Sequence, residues 1–287
     1  MMKKLFIFRI KISPRSPLCR RWVYFTSLIL LFLIHPAWGE FKIRGDSSSE
    51  IQIPILLYHR FGPVVADSMT IQTTVFESHL KYFIAHNYTV IPLRQVVDFY
   101  LKNGPRPPAR SVVIVADDGH KSVYTDMFPL IKKYRVPVTL FLYPSAISNA
   151  SYAMTWDQLR EMKNSGIVEF QSHSFWHPNF IKDKKRLKEA EYEKSVNMQM
   201  TKSKETIEKE LNVKVNMLAW PFGIYDDDLI KTAIKWKYIA AFTIERRHTG
   251  SRDNIMTLPR YLTTNSDRDK SFEMLLRGNS SQRKVIY

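Results

Sequence analysis

Val112-Val113-Ile114-Val115-Ala116-Asp117-Asp118-Gly119 is the stretch on which the reading of this chain turns. Five apolar residues without a polar interruption predict a strand buried on both faces, as in a parallel sheet. The run stops where two carboxylates stand side by side. In α/β folds the C-terminal ends of parallel strands carry the chemistry, which places Asp117 and Asp118 on the functional face. Neighbouring side chains at a strand end point in different directions, so one acid can ligate a metal while the other takes a proton from water. Taken alone, an ordinary Asp-Gly turn accounts for the same residues.

The pattern repeats on both sides. The domain is expected to begin at Ile51, where an apolar strand runs through Tyr58 into His59. Thr74 is expected to cap a helix carrying Phe76, Leu80, Phe83 and Ile84 at helical spacing. A strand over Tyr88 to Leu93 and a helix over 94–102 follow, ending at Gly104-Pro105. Beyond Gly119 a segment from Tyr124 to Tyr134 is expected to pack on the strand before Val138 to Leu142, itself read as a buried strand. A helix from Trp156 to Asn164 follows, capped by Thr155, and then a strand from Ile167 to Gln171 leading into His173. Lys182 to Leu211 reads as a charged outer helix with an interruption. Val215 to Trp220 and Ile239 to Thr243 read as strands flanking a helix from Asp226 to Trp236, and Thr257 to Arg260 as a strand-end turn. Strands alternating with helices at such spacings predict a (β/α) barrel or an open α/β sheet.

The first 40 residues are of another kind. Lys3, Lys4, Arg9, Lys11, Arg15, Arg20 and Arg21 precede an apolar run from Trp22 to Ile34, followed by Pro36-Ala37-Trp38-Gly39. That is the layout of a signal peptide cleaved after Gly39 or, if retained, of an N-terminal membrane anchor. Both place the remainder outside the cytoplasm. Residues 41–50, with three consecutive serines, form a linker, and a tail poor in structural signals runs over 278–287. Cys19, the one cysteine, lies in the export segment, so the exported portion has neither disulfide nor thiol chemistry. Of the formal charge of +16, the segment 1–40 holds seven basic groups and one acidic group, leaving 36 basic against 26 acidic, or +10. Such an excess suits an anionic envelope or polymer surface. The charges are spread along the chain with no binding motif beside them, which argues against nucleic acid.

Parallel strands deliver their C-terminal ends to one face, so His59, Asp117, Asp118, His173, His177, the 220–223 segment and Arg260 can share a pocket. His173-Ser-Phe-Trp-His177 sets two imidazoles four residues apart, a spacing that chelates one ion from a helix or a wide turn. Asp118 supplies a third donor. An Asp-His-His set suits Zn²⁺ without excluding Co²⁺, Ni²⁺ or Fe²⁺. Trp156, Trp176, Trp220, Phe222 and Tyr225 are candidates for stacking against sugar rings, with ordinary packing as the alternative for each.

Together, Asp117-Asp118-Gly119, His173-Ser-x-x-His177 and Trp220-Pro-Phe-Gly223 resemble the NodB-type polysaccharide deacetylases, carbohydrate esterase family 4. Tyr58-His59-Arg60-Phe61 and Leu258-Pro259-Arg260 look more like the branch that acts on poly-β-1,6-N-acetyl-D-glucosamine. The resemblance covers residues 51–265 and implies a distorted (β/α) barrel with a deacetylase domain over 51–277. It also implies that Asp117 is the base, that Asp118, His173 and His177 hold the metal, and that His59 is the acid. In this mechanism a backbone N–H near Tyr143 stabilises the oxyanion. The arginine that commonly steadies the base is missing from its usual place, and Arg260 is the candidate substitute. Two further departures stand beside the acids: Val115-Ala116 replaces Thr-Phe, and His120 replaces an aromatic. The implied reaction is metal-assisted release of acetate from an N-acetylated polysaccharide. Its alternatives are deacetylation of chitin-like or peptidoglycan glycans, a small-molecule amidase, or a catalytically silent glycan-binding protein.

Overall fold

The computed structural model describes residues 51–279; the expected export segment and linker, and the tail from 280 onward, lie outside the described residues. Ser111–Asp118 forms β6, the central strand, with β2 (Ile55–Tyr58) on one side and β7 (Val138–Leu142) on the other. From β7 the sheet continues through β8 (Val168–Ser172), β9 (Met217–Ala219) and β10 (Ala240–Phe242), all parallel. On the far side β12 (Tyr261–Leu262) adds to β2, and β5 (Thr89–Val90) pairs with the start of β6. Two small pairs lie beside this sheet. β1 (Gln52–Ile53) pairs with β11 (Thr249–Gly250), and β3 (Arg60–Gly62) pairs with β4 (Thr70–Gln72).

The segment 255–262 nearly closes the curved sheet into a ring. Ile255 and Leu258 exchange backbone hydrogen bonds with β10, and three residues later the same segment pairs with β2. The result is the expected distorted barrel. Helices cover the outside: α1 (Thr73–Ala85), α3 (Phe128–Tyr134), α4 (Trp156–Asn164), α5 (Phe180–Arg186), α6 (Glu189–Leu211), α7 (Asp227–Lys235) and α8 (Asp269–Leu276). One, α2 (Leu93–Tyr100), packs instead against the inner residues. Among the described residues no helix is long and apolar enough to cross a membrane.

Period-2 alternation sorts the strand residues into two layers. Leu56, Tyr58, Ile114, Ala116, Leu140 and Leu142 face the outer helices, where they meet Phe76 and Leu80 of α1, Leu159 of α4 and Met200 of α6. Leu57, Val113, Val115, Phe141, Ala219 and Phe242 face inward with Val96 and Val97 of α2. All these side chains are essentially buried, and each of the valines, leucines, isoleucines, phenylalanines and methionines contributes about 1.5–3 kcal/mol by its removal from water.

Several local expectations need correction. Helix α1 starts at Thr73, so Thr74 lies inside it; the N-cap is Gln72, whose backbone N–H is held by Asn265 Oδ1. The strand expected over Tyr88 to Leu93 shrinks to two residues because Pro92 and Leu93 open α2. The segment from Tyr124 to Tyr134 that was expected to pack on the sheet is a π-helical turn over Val123–Met127 that passes into α3. Thr155 does cap α4, in a reciprocal pair with Gln158. Helix α8 was not anticipated, although its Phe272 stacks on the buried His79 ring at 3.7 Å.

Candidate metal and catalytic site

Register and alternation build the site. His59, Asp117 and His173 each lie two residues beyond an inner-layer position, Leu57, Val115 and Gln171, on β2, β6 and β8. Extending each strand by one pleat therefore carries an imidazole or a carboxylate to the same mouth of the barrel. Asp118 would point outward by the same rule. Instead its backbone turns left-handed, with φ 73°, and Gly119 follows with φ 77°. A Cβ on Gly119 would come within 2.9 Å of Ile147 and 3.0 Å of Leu142, so both the conformation and the space require glycine.

The loop after β8 brings in His177. This segment is neither helical nor extended: Ser174 and His177 both take positive φ, 63° and 58°. The wide-turn version of the expected chelate is thus the one present. Asp118 Oδ1 lies 3.7 Å from His173 Nε2 and 3.9 Å from His177 Nε2, and the three donor atoms all lie within 4.8 Å of one another. Donors about 2.0–2.2 Å from one cation stand at most about twice that distance apart, and both measured separations meet this. The donor states fit as well. His173 Nδ1 is 2.8 Å from the Ala219 carbonyl and donates its proton there, which leaves Nε2 with its lone pair toward the site. Burial, with His173 alongside, lowers the His177 pKa to about 4, so it too is a neutral ligand. Asp118 Oδ1 is buried with no hydrogen-bond partner among the described residues, an orphaned acceptor that a cation would satisfy.

Asp117 is held differently. Arg260 Nη1 and Nη2 donate to its two carboxylate oxygens at 2.9 Å each, and Arg260 Nε donates to the Thr243 carbonyl. Both side chains are buried, and the guanidinium lies over the Phe141 ring. Burial raises the Asp117 pKa, but Arg260, aided by His173 and His59, outweighs it and holds the carboxyl below its usual range. Asp117 Oδ2 stands 3.6 Å from His173 Nε2, beside the candidate metal position. His59 lines the same cleft, half-buried, with Nδ1 unpartnered among the described residues. Burial lowers its pKa, and the carboxylates of Asp118 and Asp117 oppose that shift.

The cleft measures about 290 Å³ and is lined by His59, Arg60, Asp117, Asp118, His173 and His177, together with Met69, Tyr143, Trp220, Phe222 and Ile244. Phe222, at φ 57°, packs against the His177 ring with centroids 4.5 Å apart. Of the five aromatic candidates for sugar stacking, Trp220 and Phe222 line the cleft. Trp220 lies at the cleft but is wholly buried, its indole N–H donated to the Met256 carbonyl, so it offers no face to a sugar. Trp156 packs against the outer core at the start of α4, while the exposed Trp176 and Tyr225 do not line the cleft. Arg60, Met69 and Ile244 went unrecognised. Arg60 was legible as the residue after His59, and it pairs with Asp67 in the loop between β3 and β4.

A family model described as polysaccharide deacetylase matches residues 104–241, which include both acids and both histidines. The chain carries a polysaccharide deacetylase domain. The poly-beta-1,6-N-acetyl-D-glucosamine N-deacetylase of Staphylococcus aureus strain MRSA252 is 26% identical to it over 212 residues, 72% of this chain and 71% of the relative. Among solved structures, the Streptococcus pyogenes deacetylase PplD, in complex with acetate, superposes on this deacetylase domain with a TM-score of 0.71. The two are 21% identical over 79% of this chain and 99% of PplD. IcaB from Ammonifex degensii gives a TM-score of 0.67 at 20% identity, over 80% and 97% of the two chains. These likenesses establish that the deacetylase domain shares its fold with known deacetylases.

Proposed function

We propose that this deacetylase is an exported, metal-dependent enzyme that removes N-acetyl groups from a poly-β-1,6-N-acetyl-D-glucosamine type of polymer and releases acetate. One observation carries the chemistry: Asp118, His173 and His177 present three donors to one point beside a second carboxylate that Arg260 fixes in place. The substrate rests on the Staphylococcus aureus relative's name. Export rests on the basic and apolar pattern of residues 1–39, read as a signal or anchor ahead of a linker at 41–50 and the catalytic domain at 51–277.

A divalent cation, Zn²⁺ by donor type, bound by Asp118, His173 and His177 supplies Lewis acidity toward the amide carbonyl and lowers the pKa of water. The chain's own groups handle the protons. Hydrolysis must move one proton from the attacking water to the departing nitrogen, because an amine anion is a very poor leaving group. Asp117 is ionised and fixed in orientation, so it is assigned the acceptance. His59, across the cleft at the end of β2, is assigned the delivery. Tyr143 and Phe222 line the space left for the sugar.

The test is acetate release from β-1,6- and β-1,4-linked N-acetylglucosamine oligomers by chelator-treated and Zn²⁺-reconstituted protein. Activity that returns with metal and favours the β-1,6 series is the expected result. Preference for the β-1,4 series would redirect the substrate assignment to chitin-like or peptidoglycan glycans. No release with either series would overturn the enzymatic reading.

A further inference from the structure

The strained loop that presents His173 and His177 is held from behind by one helix. Buried positions of α6 run Tyr192, Val196, Gln199, Met200, Ser203, Ile207 and Leu211, the apolar stripe of an amphipathic helix. Two of them break the rule by being polar, and both are wholly buried. Gln199 Oε1 accepts the backbone N–H of Phe175 at 2.9 Å and that of Trp176 at 3.0 Å. Ser203 Oγ meets Ser172 Oγ at 2.7 Å, and Ser172 Oγ in turn accepts the Ser174 N–H. Gln199 and Ser203 are four residues apart, so both reach from one side of the helix.

Left-handed φ at Ser174 and His177 is disfavoured for side-chain-bearing residues and persists only where the surroundings impose it. Phe175 and Trp176 lie between these two positions. Their amide protons converge on one oxygen, so the turn is clamped at its middle, with both lone pairs of the acceptor in use. The Gln199 Nε2 group has no partner among the described residues, so it is the carbonyl oxygen that serves the loop.

We propose that Gln199 is a positioning residue for metal binding: its side-chain oxygen sets the separation of the His173 and His177 imidazoles by fixing the turn between them. The proposal rests on the metal-site reading above. A residue that orients metal ligands from behind changes affinity when altered, commonly by about 10–100-fold.

The experiment measures Zn²⁺ affinity of the folded metal-free protein by competition with a chromophoric chelator, together with amide hydrogen exchange of Phe175 and Trp176. Wild-type protein should bind Zn²⁺ and protect both amides even though they lie in an irregular loop. Gln199→Leu should lose that protection and bind Zn²⁺ about 10–100-fold more weakly, whereas Gln199→Glu, which keeps an acceptor oxygen, should recover most of the affinity. Ile207→Ala, on the same stripe, controls for general destabilisation; it should lower Tm with unchanged Zn²⁺ affinity. Equal affinity in wild type and Gln199→Leu would overturn the role of Gln199 alone, as would fast exchange at Phe175 and Trp176 in the wild type. Should Gln199→Leu not fold, the Gln199→Glu affinity and the wild-type exchange rates still decide. No Zn²⁺ uptake by the wild type would remove the metal site itself, and this inference with it.

Discussion

Arg260 and Asp117, 143 residues apart in the chain, meet as a buried fork, with Nη1 and Nη2 each 2.9 Å from its own carboxylate oxygen. Removing one partner of such a pair strands a charge in the interior, at a cost of about 3–5 kcal/mol. Arg260→Met should therefore lower Tm and, by releasing the Asp117 carboxyl from its cation, raise the pKa of that group. The acid limb of kcat/KM should move to higher pH in Arg260→Met compared with wild type. An unchanged limb would show that Asp117 does not set it.

Metal retention should separate the two adjacent acids. Asp118→Asn, His173→Ala and His177→Ala are expected to lose metal and acetate release together. Asp117→Asn should keep its metal and lose about 10²–10⁴-fold in kcat. Metal content by emission spectrometry alongside turnover checks this, and a metal-replete, fully active Asp117→Asn would contradict the base assignment. His59→Ala belongs with Asp117→Asn: metal kept, turnover slowed.

Gly119→Ala tests the turn that redirects Asp118. With φ at 77° and a new methyl 2.9 Å from Ile147, the substitution should cost about 1–3 kcal/mol and weaken metal binding in the same protein. Calorimetry and chelator competition read the two effects. A stable variant with wild-type affinity would show that the turn tolerates a side chain.

His79 gives the fold a pH dependence away from the site. It accepts from Tyr58 O–H at Nδ1 and donates from Nε2 to the Asp267 carbonyl, and burial lowers its pKa to about 4. Because the folded state disfavours the protonated ring, stability is full above the ordinary histidine pKa near 6.5. It falls as pH drops toward 4, where the unfolded chain binds the extra proton. At pH 4.5 the loss is about 2.5 kcal/mol by linkage. Urea unfolding at pH 7 and 4.5 should show this slope in the wild type and a flatter one in His79→Gln. Equal slopes would place the acid sensitivity elsewhere.

Much of this architecture was legible because it obeys one-dimensional periods. Apolar runs gave β2, β6 and β7, and the polar groups that follow β2 and β6, His59 and the two acids, gave the mouth of the barrel. The candidate metal donors were legible as residue types at or just beyond strand ends. Their grouping needed only the rule that parallel strands end on one face. What escaped depends on curvature. Trp156, Trp176 and Tyr225 do not line the cleft, and no spacing encodes that. Helix α8, with Phe272, went unread because it is short and lies beyond the last strand. Gln199 and Ser203 did leave a signal, as polar residues in the apolar stripe of α6, but the helix was read as ordinary outer covering.

The segment 255–262 joins the last strand of the ring to the first and carries Arg260 between its two attachments. A ribosome therefore finishes the three proposed cation donors long before it makes the guanidinium that orients the proposed base. Until that final stretch docks, an emerging or truncated chain would hold its ion-gripping residues without a properly oriented proton acceptor. Competence for turnover arrives last, with the C-terminal end of the domain.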